Sequence, residues 1–171
     1  MKKQFPSTKA RKTLLAAAGA LLLLASPAVS GANSAVIDGH YTTASLSAQE
    51  HKAGNLLNSD RAAYGLPPLT IDPALSRIAR IKSEDMRDNQ YFAHTSPTYG
   101  SVRDMLTRFG YTYEAAGENI ANHATIEKSQ AALISSPGHR RNILSTAYTK
   151  VGIGVALDEN GFVYLTQIFA R

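Results

Sequence analysis

The stretch that decides the fold lies near the end of the chain and reads VGIGVAL at residues 151–157, DENG at 158–161 and FVYLTQIF at 162–169. In the first run, apolar residues alternate with small ones, which is typical of a β-strand. The Gly-containing turn between the two runs predicts a hairpin. The second run is apolar on both of its faces, so we expect helices to cover both sides of the sheet.

Four helices are predicted outward from this hairpin, and the first three have a recognisable start, which for the third is formed by Gly100, Ser101 and Asp104. Ser47 and Glu50 form a capping box, in which each side chain satisfies a free amide of the first turn. Asp72 caps the second helix, with Pro73 in its first turn. The predicted helices run from Ser47 to Gly65, from Asp72 to Gln90, from Ser101 to Gly110 and from Thr125 to Ile134, and a further strand is expected over 113–121. This order predicts an α+β protein, a three-layer α-β-α sandwich with a small, mainly antiparallel central sheet.

The net charge is concentrated at the front of the chain. The 171 residues include 18 Lys and Arg against 13 Asp and Glu, and all of the excess lies in residues 1–30, which carry five basic residues and no acidic one. Nucleic-acid binding requires surplus cations that displace counterions, and the rest of the chain has none. The composition therefore predicts a protein that does not bind nucleic acid.

The basic front leads into 12 apolar or small residues at 14–25 and then into small residues at 26–34, which is the pattern of a secretory signal peptide. Twelve residues make a helix of about 18 Å, too short for the roughly 30 Å hydrocarbon core. We therefore predict a signal peptide over 1–30, with cleavage as late as 34, a flexible lead-in over 31–46 and one domain over 47–171. The expected product is secreted or periplasmic, has no stable membrane anchor and is a monomer.

Several further stretches carry polar groups in a fixed order along the chain. They are NSDR at 58–61, GLPPL at 65–69, YFAHTSP at 91–97, AGENIA at 116–121, SSPGHRRNIL at 135–144, Tyr148-Thr149 and Thr166-Gln167. Together they resemble the CAP superfamily, or SCP domain, which is named after cysteine-rich secretory proteins, antigens and pathogenesis-related proteins. Because the chain has no Cys, it is similar to the bacterial, cysteine-free branch. The resemblance implies an α-β-α sandwich, export and a cleft lined by His and Glu.

The resemblance also indicates which cleft residues carry over. His94 matches the first His of the family and Glu118 matches the first Glu. The positions of the second Glu and the second His look like Ser136 and Ala147 in this chain. His139, in the Pro-Gly-His-Arg segment, is the candidate for the missing imidazole.

The residues themselves support two interpretations of each candidate. If Ser136 caps a short helix, the positive helix end should keep His139 neutral, either to accept a proton or bind a metal, or to join the hydrogen bonds of the cap. Glu118 shares a strand face with Ala116 and Ile120, so it should be partly buried and therefore paired, functional or a structural tie. Asn119 is expected to be such a structural tie.

Two classes of function follow from these residues. As an enzyme, the domain would cleave peptidoglycan glycan strands, with Glu118 protonating the leaving oxygen and His94 or His139 acting as base or charge stabiliser. Ser136 and Arg140 would bind the substrate, although a solvated face also explains Arg140. No cofactor is required, but His94 and His139 could together hold a divalent metal such as zinc. As a binding module, the same cleft would hold a lipid, a glycan or a protein partner without turnover.

Overall fold

The computed structural model describes residues 45–171, so the predicted signal peptide lies outside the described residues. The described part contains five helices: α1 (Ala48–Ala63), α2 (Pro73–Asp88), α3 (Val102–Arg108), α4 (Ile126–Ser135) and α5 (Pro137–Ile143). It also contains four strands: β1 (Thr70–Ile71), β2 (Ala116–His123), β3 (Lys150–Leu157) and β4 (Val163–Ala170). None of these helices is long and apolar enough to cross a membrane.

The four strands form one sheet in the order β1-β3-β4-β2. β3 and β4 pair as the predicted antiparallel hairpin, and β2 pairs antiparallel with the other side of β4. The two-residue strand β1 adds a parallel pairing on β3 that the sequence did not predict. The sheet is therefore small and mainly antiparallel, as expected, and β2 lies at its edge.

Helices cover both faces of the sheet, which confirms the expectation drawn from β4. On one face, Leu165 and Phe169 of β4 pack in an apolar cluster with residues of α1, α4 and α5. On the other face, Ile168 packs with residues of α2 and α3. Each cluster removes apolar surface from water, and this burial is what holds the three layers together.

Two glycines allow α2 to lie close to the sheet. A Cβ at Gly152 would overlap the backbone of Leu75, and a Cβ at Gly154 would overlap the backbone of Ala79. The Ser83 hydroxyl then donates to the carbonyl of Gly154 at 3.0 Å. This contact fixes the second half of α2, from which the chain continues into the segment that carries His94.

The capping signals at three helix starts are present as predicted. Ser47 and Glu50 form the capping box of α1, Asp72 accepts from the amide of Leu75 at the start of α2, and Ser101 accepts from the amide of Asp104 at the start of α3. Because each of these side chains satisfies a free amide of the first turn, the local sequence alone sets where the helices begin.

Candidate active site

His94 and Glu118 form a hydrogen-bonded pair at the edge of the sheet. Glu118 lies on β2 opposite Ile168, so its side chain is on the face that α2 covers. His94 lies in the loop after α2, and its Nδ1 is 2.8 Å from Oε1 of Glu118. The structure therefore joins two residues that are 24 positions apart in the sequence.

The two members of this pair differ in their exposure. The side chain of Glu118 is 4% exposed, whereas that of His94 is 59% exposed. Oε2 of Glu118 is buried and has no hydrogen-bond partner within residues 45–171. The predicted burial and pairing of Glu118 are confirmed, and the group that faces solvent is the imidazole of His94.

His139 reaches the same region from α5, beyond the edge strand. Its carbonyl accepts a hydrogen bond from Nδ2 of Asn119 at 3.1 Å, and Asn119 directly follows Glu118. His139 is also near enough to His94 for a charge on His94 to affect its titration. The structure therefore brings the three predicted site residues into one neighbourhood, although it does not test their catalytic roles.

The environments shift the two imidazoles in opposite directions. The hydrogen bond to Glu118 raises the pKa of His94, and partial burial and the charge of Lys82 only partly oppose this. Burial lowers the pKa of His139, and the nearby charge of His94 lowers it further. Of the two imidazoles, that of His94 is thus shifted toward the charged form and that of His139 toward the neutral form.

The predicted neutrality of His139 is correct in direction, and the structure adds two causes, burial and the charge of His94, to its position in the first turn of α5. Ser136 occupies the N-cap position of α5, but its side chain makes no capping hydrogen bond. The expected short helix that starts at Ser136 with Pro137 in its first turn is therefore confirmed, but the capping hydrogen bond of the Ser136 side chain is not formed. His139 titrates low because it is partly buried beside His94.

Amide side chains tie β2 to α5 behind the site. Asn119 donates to Oε1 of Gln167 at 3.2 Å, in addition to its bond with His139. Asn142 of α5 donates to Oδ1 of Asn119 at 2.9 Å and to the carbonyl of Glu118 at 3.2 Å. The predicted structural role of Asn119 is confirmed, and Asn142 is a second tie that the sequence analysis did not single out.

A polar network beneath His94 was also missed. Ser96 donates to Oδ2 of Asp85 at 2.6 Å, Asn89 donates to Oδ1 of Asp85 at 2.8 Å, and the Tyr91 hydroxyl also donates to Asp85. Burial raises the pKa of Asp85, but these hydrogen bonds outweigh burial and hold the pKa below its ordinary value. Lys82 lies beside this network and is fully buried. Tyr91 and Ser96 belong to the YFAHTSP stretch, and this stretch is the sequence feature from which the network could have been predicted.

The proposed substrate-binding residues are not part of these contacts. Among the described residues, neither Ser136 nor Arg140 makes a side-chain hydrogen bond to His94, Glu118 or His139. Arg140 is partly exposed on α5. Their binding role stays a prediction.

A zinc site with three protein ligands does not fit this arrangement. In the part of the chain that the structure describes, no three His, Asp or Glu side chains are grouped so that they could hold a metal ion. Nδ1 of His94 is already engaged by Glu118, and structural or catalytic zinc normally takes at least three protein ligands. A divalent metal held by His94 and His139 stays a prediction.

Sequence comparisons place this geometry in a known family. The family model described as "Cysteine-rich secretory protein family" (CAP) matches residues 55–169. The uncharacterized protein YkwD of Bacillus subtilis is 46% identical over 128 residues, which are 74% of this chain and 49% of YkwD. The uncharacterized membrane protein YlbC of the same organism is 37% identical over 68% of this chain and 33% of its own length. The chain thus spans about a half and a third of these two relatives.

Solved structures agree with the fold. An extracellular SCP-domain protein from Bacillus anthracis has a TM-score of 0.65 and 35% identity, over 72% of this chain and 40% of that one. An outer surface protein of Borrelia burgdorferi also has a TM-score of 0.65, at 16% identity over 71% of this chain and 90% of its own, and so supports the fold alone. With its α-β-α sandwich, its missing cysteines and these matches, the chain belongs to the CAP family, in its cysteine-free bacterial branch.

Proposed function

We propose that this domain is an exported hydrolase that cleaves the glycan strands of peptidoglycan, with His139 as general base and His94 as general acid. The observation that carries the proposal is the placement of two imidazoles beside one buried carboxylate: Nδ1 of His94 lies 2.8 Å from Oε1 of Glu118, and His139 is tied to the neighbouring Asn119. The opposite pKa shifts of the two imidazoles support the assignment of their roles. Pairs of titratable groups whose pKa values are pushed apart are the usual mark of an acid and a base that work together. Here the pKa of His94 is raised and that of His139 is lowered.

Glu118 has a different part in this proposal from the one expected from the sequence. Its carboxylate is buried and bound to Nδ1 of His94, so it orients the imidazole and stabilises the imidazolium, as the acidic member of a catalytic triad does. The nearby Asp85 has both of its oxygens occupied by donors. A mechanism that relies on two free carboxylates therefore has less support than one that relies on two imidazoles.

The chemistry balances with one water molecule. Neutral His139 takes a proton from the water that attacks the anomeric carbon, while the imidazolium of His94 gives a proton to the leaving glycosidic oxygen. The glycosidic bond breaks and a new carbon–oxygen bond forms. His139 then releases its proton to solvent and His94 takes one up, which restores the starting state.

The substrate class follows from the expected location of the protein. The B. anthracis relative is described as extracellular and is 35% identical to this chain. A basic and apolar front followed by small residues is typical of exported proteins. An exported acid–base site in a bacterium meets the cell wall, whose glycan strands offer glycosidic bonds at high local concentration.

Mass spectrometry of purified peptidoglycan after incubation with the protein tests the proposal. We expect new glycan termini with the wild type and a loss of at least about 100-fold in their rate of appearance for His94→Asn and His139→Asn. His123→Asn is the matched control, because His123 is exposed at the end of β2. Intact muropeptides at every pH, together with retention of the protein on the glycan, would refute hydrolysis and favour a binding module.

A further inference from the structure

Lys82 is a buried lysine near the site that takes no part in the proposed chemistry. Lys82 lies on α2 and is fully buried, although lysine is almost never fully buried unless its charge is compensated. Burial lowers the pKa of Lys82, and the negative charges of Glu118 and Asp85 oppose that shift. The ammonium is therefore held between the carboxylate of the site and the polar network beneath it.

The hydrogen bonds of Lys82 are directed at the segment that carries His94. Its Nζ donates to the carbonyl of His94 at 2.9 Å and to the hydroxyl of Tyr91 at 3.3 Å. It also lies 5.1 Å from the centre of the Tyr91 ring, within the range of a cation–π interaction. These two hydrogen bonds and the contact with the ring fix the position of the ammonium more than an ion pair with a carboxylate does.

The segment between Tyr91 and Ser96 has little else to hold it. The amide of Tyr91 bonds to the carbonyl of Met86 at 3.1 Å, and the amide of Ser96 bonds to Gly100 at 2.8 Å. Residues 92–95 between these anchors are exposed. Among residues 45–171, the bond from Lys82 is the one that fixes a backbone atom of this stretch.

We propose that Lys82 is a positioning residue, which holds the backbone of His94 so that the imidazole stays against Glu118. Lys82 acts through the carbonyl of His94, while Glu118 acts through Nδ1, so the residue is fixed at two points and Nε2 is left free to react. The inference depends on the pairing of His94 with Glu118 and not on turnover, so it can fail or succeed independently of the proposed hydrolysis.

Two other roles for Lys82 make different predictions about His94. As a charge alone, Lys82 lowers the pKa of His94, so its removal would raise that pKa. As a filler of space, its removal would leave the pKa of His94 unchanged. Of the groups that face His94, Glu118 on β2 has the largest effect on its pKa, Lys82 on α2 has a smaller one, and His139 lies opposite on α5. If Lys82 positions His94, removing Lys82 weakens the dominant contact and the pKa falls.

The test is NMR spectroscopy of the purified protein with the substitution Lys82→Met, which keeps an unbranched apolar stem as far as Cε and removes the ammonium. We expect the backbone order parameters of residues 92–95 to fall from near the rigid value of about 0.85 to below about 0.6, and the pKa of His94 to fall. Asn58→Ala is the control for lost stability, because the hydrogen bonds of the Asn58 side chain within residues 45–171 go to the backbone of Leu69, on the other side of the sheet. It should change neither quantity.

Unchanged order parameters together with an unchanged or raised pKa of His94 would overturn the proposal. If Lys82→Met does not fold, Lys82→Gln provides a second variant, because its side chain is as long as that of Met, one atom shorter than that of Lys, and retains a donor. We then expect order parameters at 92–95 between those of the wild type and those of a free loop, with a lowered pKa of His94. Wild-type values for both quantities in Lys82→Gln would equally refute the positioning role.

Discussion

Replacing Glu118 by Gln is the substitution that separates the functional from the structural interpretation of the site. Gln nearly preserves the shape of the side chain but removes the charge that holds Nδ1 of His94 at 2.8 Å. Because the hydrogen bond to Glu118 is the largest cause of the raised pKa of His94, we expect that pKa to fall in Glu118→Gln.

The size of the effect follows from the exposure of the pair. A hydrogen bond to a charged group contributes about 1.5–3 kcal/mol, but the side chain of His94 is 59% exposed, so solvent screening reduces this to about 1 kcal/mol. That corresponds to about a fivefold loss in the proton affinity of His94. A raised pKa in the folded state stabilises the fold below about pH 6.5, and this contribution is lost as the pH rises through the folded value. Between about pH 6 and pH 9, the free energy of unfolding of the wild type should therefore fall by about 1 kcal/mol more than that of Glu118→Gln.

Imidazole NMR titration and urea unfolding on the same preparation measure both effects, with His94→Asn used to assign the resonance. Glu127→Gln is the matched control, because Glu127 is an exposed carboxylate on α4 that pairs with Lys52. An unchanged titration of His94 in Glu118→Gln would refute the pairing. A lowered unfolding temperature with an unchanged titration would instead identify Glu118 as a structural tie.

Two further predictions concern the scaffold. In urea unfolding, Gly154→Ala should lower the free energy of unfolding by about 3 kcal/mol or more, because the new Cβ would overlap the backbone of Ala79. The control is Gly138→Ala, whose Cβ would enter open space and which should change the free energy of unfolding by less than about 1 kcal/mol. Burial raises the pKa of Glu50, but its hydrogen bonds with Arg80 and Ser47 and the charge of Arg80 together outweigh burial and lower the pKa. This stabilisation is present above about pH 4.3 and is lost as the pH falls. Glu50→Gln should therefore be about 3 kcal/mol less stable than the wild type at pH 7. Urea unfolding between about pH 5 and pH 3 should show a smaller loss of stability in this variant than in the wild type. An equal loss in the two proteins would contradict the prediction.

Local signals predicted the parts of the fold that local chemistry determines. The capping box at Ser47 and Glu50 and the turn at 158–161 are both present as expected, because a helix start and a hairpin turn each depend on a few neighbouring residues. The strand β1 could not be predicted in this way. It has two residues, which is too short to show a periodicity, and it forms only because β3 provides a partner.

The candidate site was predictable where the sequence contains a motif, and not where burial depends on packing between distant elements. His94 lies in the YFAHTSP motif and Glu118 in the AGENIA motif. The structure shows that the two side chains are paired. Lys82 and Asp85 look like ordinary charged positions on a helix, and only the packing of α2 on the sheet shows that they are buried. For His139, the position near a helix start was visible in the sequence and predicted the direction of its pKa shift, whereas its partial burial beside His94 was not visible.

The pH dependence of peptidoglycan cleavage tests the central claim most directly, because the claim is that one charged and one neutral imidazole work together. The account predicts a bell-shaped rate profile. Its acid limb reflects protonation of His139 below about pH 6.5, and its alkaline limb reflects deprotonation of His94 above that value. A single limb near pH 4–5, as expected for a carboxylic acid acting alone, or the absence of cleavage at every pH, would contradict the account.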